Sequence, residues 1–109
     1  MPKIAISIGD INGIGLEIAL KSHNAISQIC EPVYVTHLEI VESAAKILGL
    51  SMPKDMQCVA DFELCADIQP GVVSKESGLY SYKSFLQAIK LTESRITQAL
   101  VTLPIHKKA

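Results

Sequence analysis

The sequence lacks two features that would point to a membrane or a nucleic acid. No apolar run approaches the roughly 20 residues that a membrane-spanning helix needs. Positive charge is not concentrated either, since the formal net charge is -1 and the basic residues are scattered apart from Lys107 and Lys108. We therefore expect no membrane and no nucleic-acid partner. The apolar amino terminus leads into Gly9 and Asp10 without a cleavage-site pattern, which argues against a signal peptide.

Cysteines are few and form an odd set, Cys30, Cys58 and Cys65, whose spacing fits neither a metal site nor a redox pair. We expect them to be reduced thiols in a cytoplasmic protein. The three histidines also lack the spacing of convergent ligands, so we predict no metal ligand among these residues. What is present is the composition of one small folded domain of 109 residues, with 49% hydrophobic and 19% charged residues.

Strand and helix patterns alternate along the chain. Short apolar, β-branched runs predict strands at residues 3–8, 32–36 and 98–102, with weaker candidates at 56–60 and 66–73. Apolar residues at helical spacing predict helices from about 13 to 21 or 23, from 39 to 48, and from 77 to about 94. This order predicts an α/β fold with a mostly parallel sheet and flanking helices.

Three residues are predicted to mark helix ends, and one helix has a clear apolar stripe. Asn12 and Ser77 are candidate N-caps, and Gly49 is placed to end the second helix. The third helix carries apolar residues at i, i+3, i+4 and i+7, which predicts a core-facing side; they are Tyr82, Phe85, Leu86 and Ile89. A buried parallel strand normally needs crossover helices, and none follows the last predicted strand. We therefore expect the 109 residues to be a truncated portion of a longer chain.

Two loops are predicted at the carboxyl ends of strands, where open α/β sheets bind ligands. The first spans residues 9–15, and its candidate ligand-binding residues are Gly9, Asp10, Asn12, Gly13 and Gly15. Ile11 stands where a dinucleotide fingerprint starting at Gly9 needs glycine, and no phosphate-loop pattern occurs. The loop could receive an anion at a helix N-terminus, and Asp10 could orient a polar group or a water. A tight turn that uses glycine for close packing explains the same residues.

The second loop spans residues 103–108, after the last predicted strand, and three polar side chains meet at this strand end. Thr102 carries a hydroxyl, His106 an imidazole that can shuttle protons, and Lys107 an ammonium that can neutralise a phosphate. The alternative is a solvated tail. The sequence therefore predicts these three residues as ligand-binding candidates, and it predicts no catalytic residue within the 109 positions.

Three segments, in order along the chain, resemble one enzyme family. Residues 4–15 are similar to the opening strand and G-[DE]-x-x-G-[IV]-G loop of the 4-hydroxythreonine-4-phosphate dehydrogenases. Residues 71–78 are similar to that family's G-x-[IVP]-S-x-x-[SA]-G stretch, and residues 99–107 resemble its A-L-V-T-G-P-[IV]-[HN]-K segment. Leu103 stands where the last motif has glycine, so a side chain lies where the family has only backbone.

The resemblance implies a fold like that of isocitrate and isopropylmalate dehydrogenases, with two α/β/α domains in a homodimer. It implies that residues 1–109 are the amino-terminal portion of a cytoplasmic dehydrogenase. It also implies oxidation of 4-phosphooxy-threonine, a small phosphorylated amino acid, by NAD or NADP. Loss of carbon dioxide then gives an aminoacetone phosphate, in the biosynthesis of pyridoxal phosphate (vitamin B6). A divalent metal (zinc, magnesium or cobalt) would polarise the reacting oxygens from ligands downstream of Ala109.

Two other interpretations remain at this point. The resemblance implies that the 109 residues are inactive alone, so the chain could be a non-catalytic product that binds a phosphate ligand or associates with another subunit. It could also belong to another phosphate-using enzyme of similar architecture, such as an acyltransferase that acts on phosphate.

Overall fold

The computed structural model describes residues 1–105, which form four strands and three helices in alternation. The strands are β1 (Lys3–Ser7), β2 (Glu31–Val35), β3 (Gln57–Val59) and β4 (Ala99–Thr102). The helices are α1 (Gly15–Ile26), α2 (Leu38–Leu48) and α3 (Lys75–Glu93). All strand pairs in this part of the chain are parallel, and the order across the sheet is β3-β2-β1-β4. The predicted α/β fold with a parallel sheet and flanking helices is therefore confirmed.

The strand order reverses direction once. The chain moves outward from β1 through β2 to β3, and α3 then carries it back across the sheet to β4, on the other side of β1. β1 and β4 are therefore neighbours whose connections leave in opposite directions. Such a topological switch point opens a crevice at the carboxyl ends of the two strands.

Successive residues of the central strands face opposite sides of the sheet, as the strand geometry requires. Ile6 of β1 and Tyr34 of β2 belong to a large apolar cluster with α1 and α2. Ala5 and Val35 face the other way and pack against Ala88 of α3. The sheet is thus covered on both faces, which explains why its central strands are apolar on both sides.

α3 corrects two predictions. It begins at Lys75 after the N-cap Ser74, so the N-cap assigned to Ser77 was wrong; Ser77 instead completes a capping box at the third position. The predicted core-facing stripe was also wrong, because Tyr82 is 59% exposed, and Phe85 and Leu86 are exposed as well. The buried residues are mostly small or polar, namely Ser77, Tyr80, Ser84, Gln87 and Ala88. Small side chains let the helix approach the sheet closely.

The other elements match the predicted ones with shifted ends. α1 begins at Gly15 after Ile14, which makes no side-chain cap, so the N-cap assigned to Asn12 was wrong. Gly49 ends α2 in the left-handed conformation, as predicted. Residues 66–73 are described and form no strand; they contain turns and the left-handed Gly71. Within residues 1–105, no helix is both long and apolar enough to cross a membrane.

Candidate ligand-binding crevice

A crevice of about 650 Å³ opens at the carboxyl ends of β1 and β4, at the topological switch point. Its first wall is Asp10, which follows β1. Its second wall is the end of β4 and the segment after it, residues 102–105. Its third wall is the first half of α3, which contributes residues 77–78, 81–82 and 85.

The first two walls touch through Gly9. This glycine has φ +66, and a Cβ at its position would overlap the carbonyl oxygens of Leu103 and Pro104. The next residue extends the contact, because the Asp10 N–H donates to the Pro104 carbonyl at 2.9 Å. On the β4 side, the Leu103 N–H donates to the Ser7 carbonyl, also at 2.9 Å. Gly9 therefore permits the close approach of the two loops that the sequence singled out.

Gly15, at the start of α1, also lets the segment after β4 pack closely. A Cβ on Gly15 would lie 3.2 Å from the Cβ of Leu103, which is tighter than ordinary van der Waals contact. The Leu103 side chain itself packs against the large apolar cluster. Leu103 and Gly15 thus fit together as a large and a small residue, so an added methyl group at Gly15 would have to displace the leucine.

Asp10 carries the only formal charge among the described residues that line the crevice. Its Oδ1 accepts from the Asn12 N–H at 3.0 Å, and its carbonyl accepts from the Gly13 N–H at 3.1 Å. These bonds form a tight turn that fixes the carboxylate at the end of β1. The carboxylate can accept hydrogen bonds from ligand hydroxyls, and it disfavours a phosphate group in direct contact.

Asn12 lies behind the crevice. It is buried, its Nδ2 donates to the Val72 carbonyl at 2.9 Å, and its Oδ1 accepts from the Gln69 N–H at 2.6 Å. Asn12 and Gly13 line a separate cavity of about 100 Å³ next to α1 and α2. The structure therefore brings Asp10 and Thr102 of the predicted residues to the crevice. His106 and Lys107 lie outside the described residues.

The α3 wall was missed by the sequence prediction. Ser81 adds a hydroxyl to the crevice, and Tyr82 and Phe85 add exposed aromatic rings. Their helical spacing predicts a core-facing position for these rings, which the structure contradicts. A second pattern on the same helix, the small residues Ser77, Ser84 and Ala88, pointed to the sheet-facing side and would have turned the aromatic rings outward.

Two hydrogen-bonded links hold α3 against the sheet. The Ser84 Oγ accepts from the Ile8 N–H at 2.9 Å and donates to the Val35 carbonyl. The buried Tyr80 hydroxyl accepts from the His37 N–H at 2.9 Å and lies 2.6 Å from His37 Nδ1. Burial raises the pKa of Tyr80, so its phenol stays protonated and can donate to that nitrogen. These links fix the height of the α3 wall above β1.

The remaining histidines have structural partners. His37 Nε2 lies 2.7 Å from the Phe62 carbonyl, so the ring donates there. His23 is buried, with Nδ1 2.8 Å from the Tyr34 hydroxyl and Nε2 3.0 Å from Asp55 Oδ1. Among residues 1–105, no three His, Cys, Asp or Glu side chains converge in a group that could hold a metal ion.

Comparison with known proteins relates the whole chain to one enzyme family. The family model described as pyridoxal phosphate biosynthetic protein PdxA matches residues 28–109. A 4-hydroxythreonine-4-phosphate dehydrogenase from Campylobacter fetus subsp. fetus is 50% identical over 112 residues, covering 100% of this chain and 35% of that protein. The enzyme of the same name from Sulfurimonas denitrificans is 40% identical over 107 residues, covering 98% of this chain and 34% of that protein.

A solved structure shares the fold described above. The crystal structure of a 4-hydroxythreonine-4-phosphate dehydrogenase from Burkholderia phymatum superposes with a TM-score of 0.86 at 27% identity. The match covers 99% of this chain and 38% of that one, so the chain spans about a third of the length of the relatives it matches. The family match over most of the sequence and the agreement of these relatives show that this chain belongs to the PdxA family of pyridoxal phosphate biosynthetic proteins.

Proposed function

We propose that the chain acts as part of a cytoplasmic, homodimeric 4-hydroxythreonine-4-phosphate dehydrogenase in pyridoxal phosphate biosynthesis. The proposed reaction oxidises the hydroxyl of 4-phosphooxy-threonine with NAD or NADP, and loss of carbon dioxide gives an aminoacetone phosphate. The observation that carries this proposal is the 50% identity to the Campylobacter fetus enzyme over the entire chain. The crevice at the switch point supports it, because this is where α/β enzymes bind their ligands.

The crevice suits a ligand that is partly flat and partly hydroxylated. Its volume of about 650 Å³ lies within the range of small-molecule sites. Tyr82 and Phe85 offer aromatic faces against which a planar ring can pack. Asp10 and Thr102, on the two walls that contact each other, offer a carboxylate and a hydroxyl for hydrogen bonds to ligand hydroxyls. When bound, a nicotinamide cofactor would supply the hydride acceptor for the oxidation.

Phosphate neutralisation is a separate requirement. The described crevice residues carry a negative charge at Asp10 and no positive one. We propose that His106 and Lys107, which follow the β4 wall in the sequence, take part in binding the substrate phosphate. The described residues provide no metal site, so we assign no step of the reaction to a metal held by residues 1–105.

The test is a turnover assay on the native protein. It is incubated with 4-phosphooxy-threonine, NAD or NADP, and a divalent metal, and the reduced nicotinamide is followed by its absorbance. We expect turnover by the native protein and none by the 109-residue chain alone. A folded native protein that leaves NAD and NADP unreduced would contradict the proposal. The intact mass of the native protein is measured in parallel, since it identifies the polypeptide being assayed.

A matched pair of variants tests the crevice itself. Asp10→Asn keeps an oxygen for the Asn12 N–H and removes the charge. Loss of a hydrogen bond to a charged group weakens turnover roughly 10- to 100-fold. Asp67→Asn makes the same change on an exposed loop residue that does not line this crevice, and it should leave turnover unchanged. Equal activity of both variants would contradict the proposal that the crevice binds the ligand.

A further inference from the structure

We infer that Asn12 is a positioning residue that holds the start of α3 at the crevice. This inference rests on the proposed function, since it takes the crevice as the ligand site. Asn12 is 6% exposed and does not line the crevice. Its effect on a ligand must therefore pass through the residues it binds.

Asn12 makes three hydrogen bonds to one short segment, residues 69–72. Its side chain donates to the Val72 carbonyl at 2.9 Å and accepts from the Gln69 N–H at 2.6 Å. Its backbone carbonyl accepts from the Gly71 N–H at 2.9 Å. A buried amide needs both a donor and an acceptor partner, and this segment supplies both. Asn12 therefore holds a turn that belongs to no helix or strand.

That turn leads directly into the α3 wall. Two residues after Val72, the Ser74 side chain accepts from the Ser77 N–H at 3.1 Å and caps the helix. Ser77 lines the crevice. The connection from β3 is also anchored at its other end, where the Asp61 N–H donates to Gln87 Oε1 at 2.8 Å. Asn12 thus holds the end of the connection that enters the crevice wall.

The β4 wall, which faces α3, is held by Asp10, two residues before Asn12. The Asp10 N–H donates to the Pro104 carbonyl, and Asp10 Oδ1 accepts from the Asn12 N–H at 3.0 Å. The loop after β1 therefore holds the β4 wall through Asp10 and the entrance to α3 through Asn12. Because Asp10 and Asn12 are hydrogen-bonded to each other, the loop sets the width of the crevice between the β4 wall and the α3 wall.

The test uses Asn12→Asp and Asn12→Ala in the native full-length protein. The aspartate keeps an acceptor for the Gln69 N–H but places an oxygen against the Val72 carbonyl, which removes one bond without changing the size. We expect faster amide hydrogen exchange over residues 66–78 in both variants. We also expect KM for the nicotinamide or the amino-acid substrate to rise about 10-fold, with a smaller change in kcat. The control, Asn24→Asp, introduces the same charge at an exposed position of α1 and should change neither quantity.

The two measurements separate this inference from the proposed function. Hydrogen exchange requires no turnover, so a native protein without dehydrogenase activity would overturn the function and leave the exchange result to decide the positioning. Exchange over residues 66–78 equal to that of the native protein, in a folded Asn12→Asp variant, would overturn the inference. So would faster exchange with KM unchanged in an active enzyme. If Asn12→Ala does not fold, Asn12→Asp carries the test.

Discussion

Two glycines with nearly the same backbone conformation occupy very different surroundings. Gly9 has φ +66 beneath the carbonyl oxygens of Leu103 and Pro104, whereas Gly71 has φ +76 with no atom within 4 Å of an added Cβ. We predict that Gly71→Ala lowers the free energy of unfolding by about 1–2 kcal/mol, from backbone strain alone. Gly9→Ala should lower it by roughly a further 1–3 kcal/mol, because the β4 loop must also move. Urea unfolding of both variants measures the difference, and equal losses would contradict the close approach.

The Tyr34 hydroxyl is another single group with a defined partner. It lies 2.8 Å from His23 Nδ1 in a fully buried site. We predict that Tyr34→Phe lowers the free energy of unfolding by about 1–3 kcal/mol, because the histidine nitrogen loses its buried partner. Tyr82→Phe removes an exposed hydroxyl and should stay within about 0.5 kcal/mol of the native protein. Thermal unfolding of the two variants tests this prediction, and a matching shift in Tm would show that the buried bond contributes nothing.

The hydrogen-bond partners of single side chains were the hardest feature to predict from the sequence. His23 lies in the last turn of α1, but its partners Tyr34 and Asp55 come from other parts of the chain. Asn12 was proposed as a helix cap or a ligand contact because its type suits a loop before a helix. Its actual partners, Gln69 and Val72, lie about 60 residues away, and no local pattern indicates them.

At the scale of elements, α3 depends on a reciprocal cap. The Ser74 side chain accepts from the Ser77 N–H at 3.1 Å, and Ser77 Oγ accepts from the Ser74 N–H at 3.3 Å. We predict that Ser74→Ala lowers the free energy of unfolding by about 0.5–2 kcal/mol, since the first turn loses its side-chain acceptor. Ser43→Ala, at an exposed position within α2, should be neutral or slightly stabilising. Chemical denaturation distinguishes them, and an unchanged Ser74→Ala midpoint would exclude the cap as a source of stability.

Elements with one dominant local signal were predicted well. α2 has a single apolar face and a glycine at its end, and its bounds moved by only one residue. α3 carries two competing patterns, an aromatic stripe and a face of small residues, and the sheet selected the small one because α3 packs closely on β1. The weak strand predicted at residues 66–73 was wrong because that segment forms hydrogen bonds with Asn12 instead of with a neighbouring strand.

At the scale of the whole molecule, burial makes stability sensitive to alkaline pH. Burial raises the pKa of the Tyr34 and Tyr80 phenols, and it raises the pKa of the Cys58 thiol to about 11. Above the ordinary thiol pKa of about 8.5, the unfolded chain loses protons that the folded chain keeps. We therefore predict that these groups make the free energy of unfolding fall as pH rises from about 8.5 toward 11.

Denaturant titrations across this alkaline range measure the effect. Cys58→Ala should reduce the slope between about pH 8.5 and 11, because one of the groups with a raised pKa is gone. Exposed Tyr82→Phe provides a comparison in which the slope is retained. A native protein whose free energy of unfolding is constant or rises over this range would contradict the raised pKa values.

The crevice is a property of the whole molecule, and this explains how much of it the sequence could indicate. Asp10 and Thr102 were found because Asp10 follows a recognisable strand and Thr102 ends another. The α3 wall, with Tyr82 and Phe85, was not found because its place depends on β4 pairing with β1 instead of with β3. Strand order is decided by packing between distant segments, and no single segment carries that information.

The position of β1 in the middle of the sheet has a consequence during synthesis. β1 pairs on one side with the next strand of the chain, but its other partner, β4, lies about 95 residues further on. While the ribosome makes the intervening segment, one edge of β1 stays unpaired and open to other extended chains. The crevice, which needs the ends of both strands, therefore forms only after β4 has left the ribosome, and a nascent chain that stalls earlier lacks it.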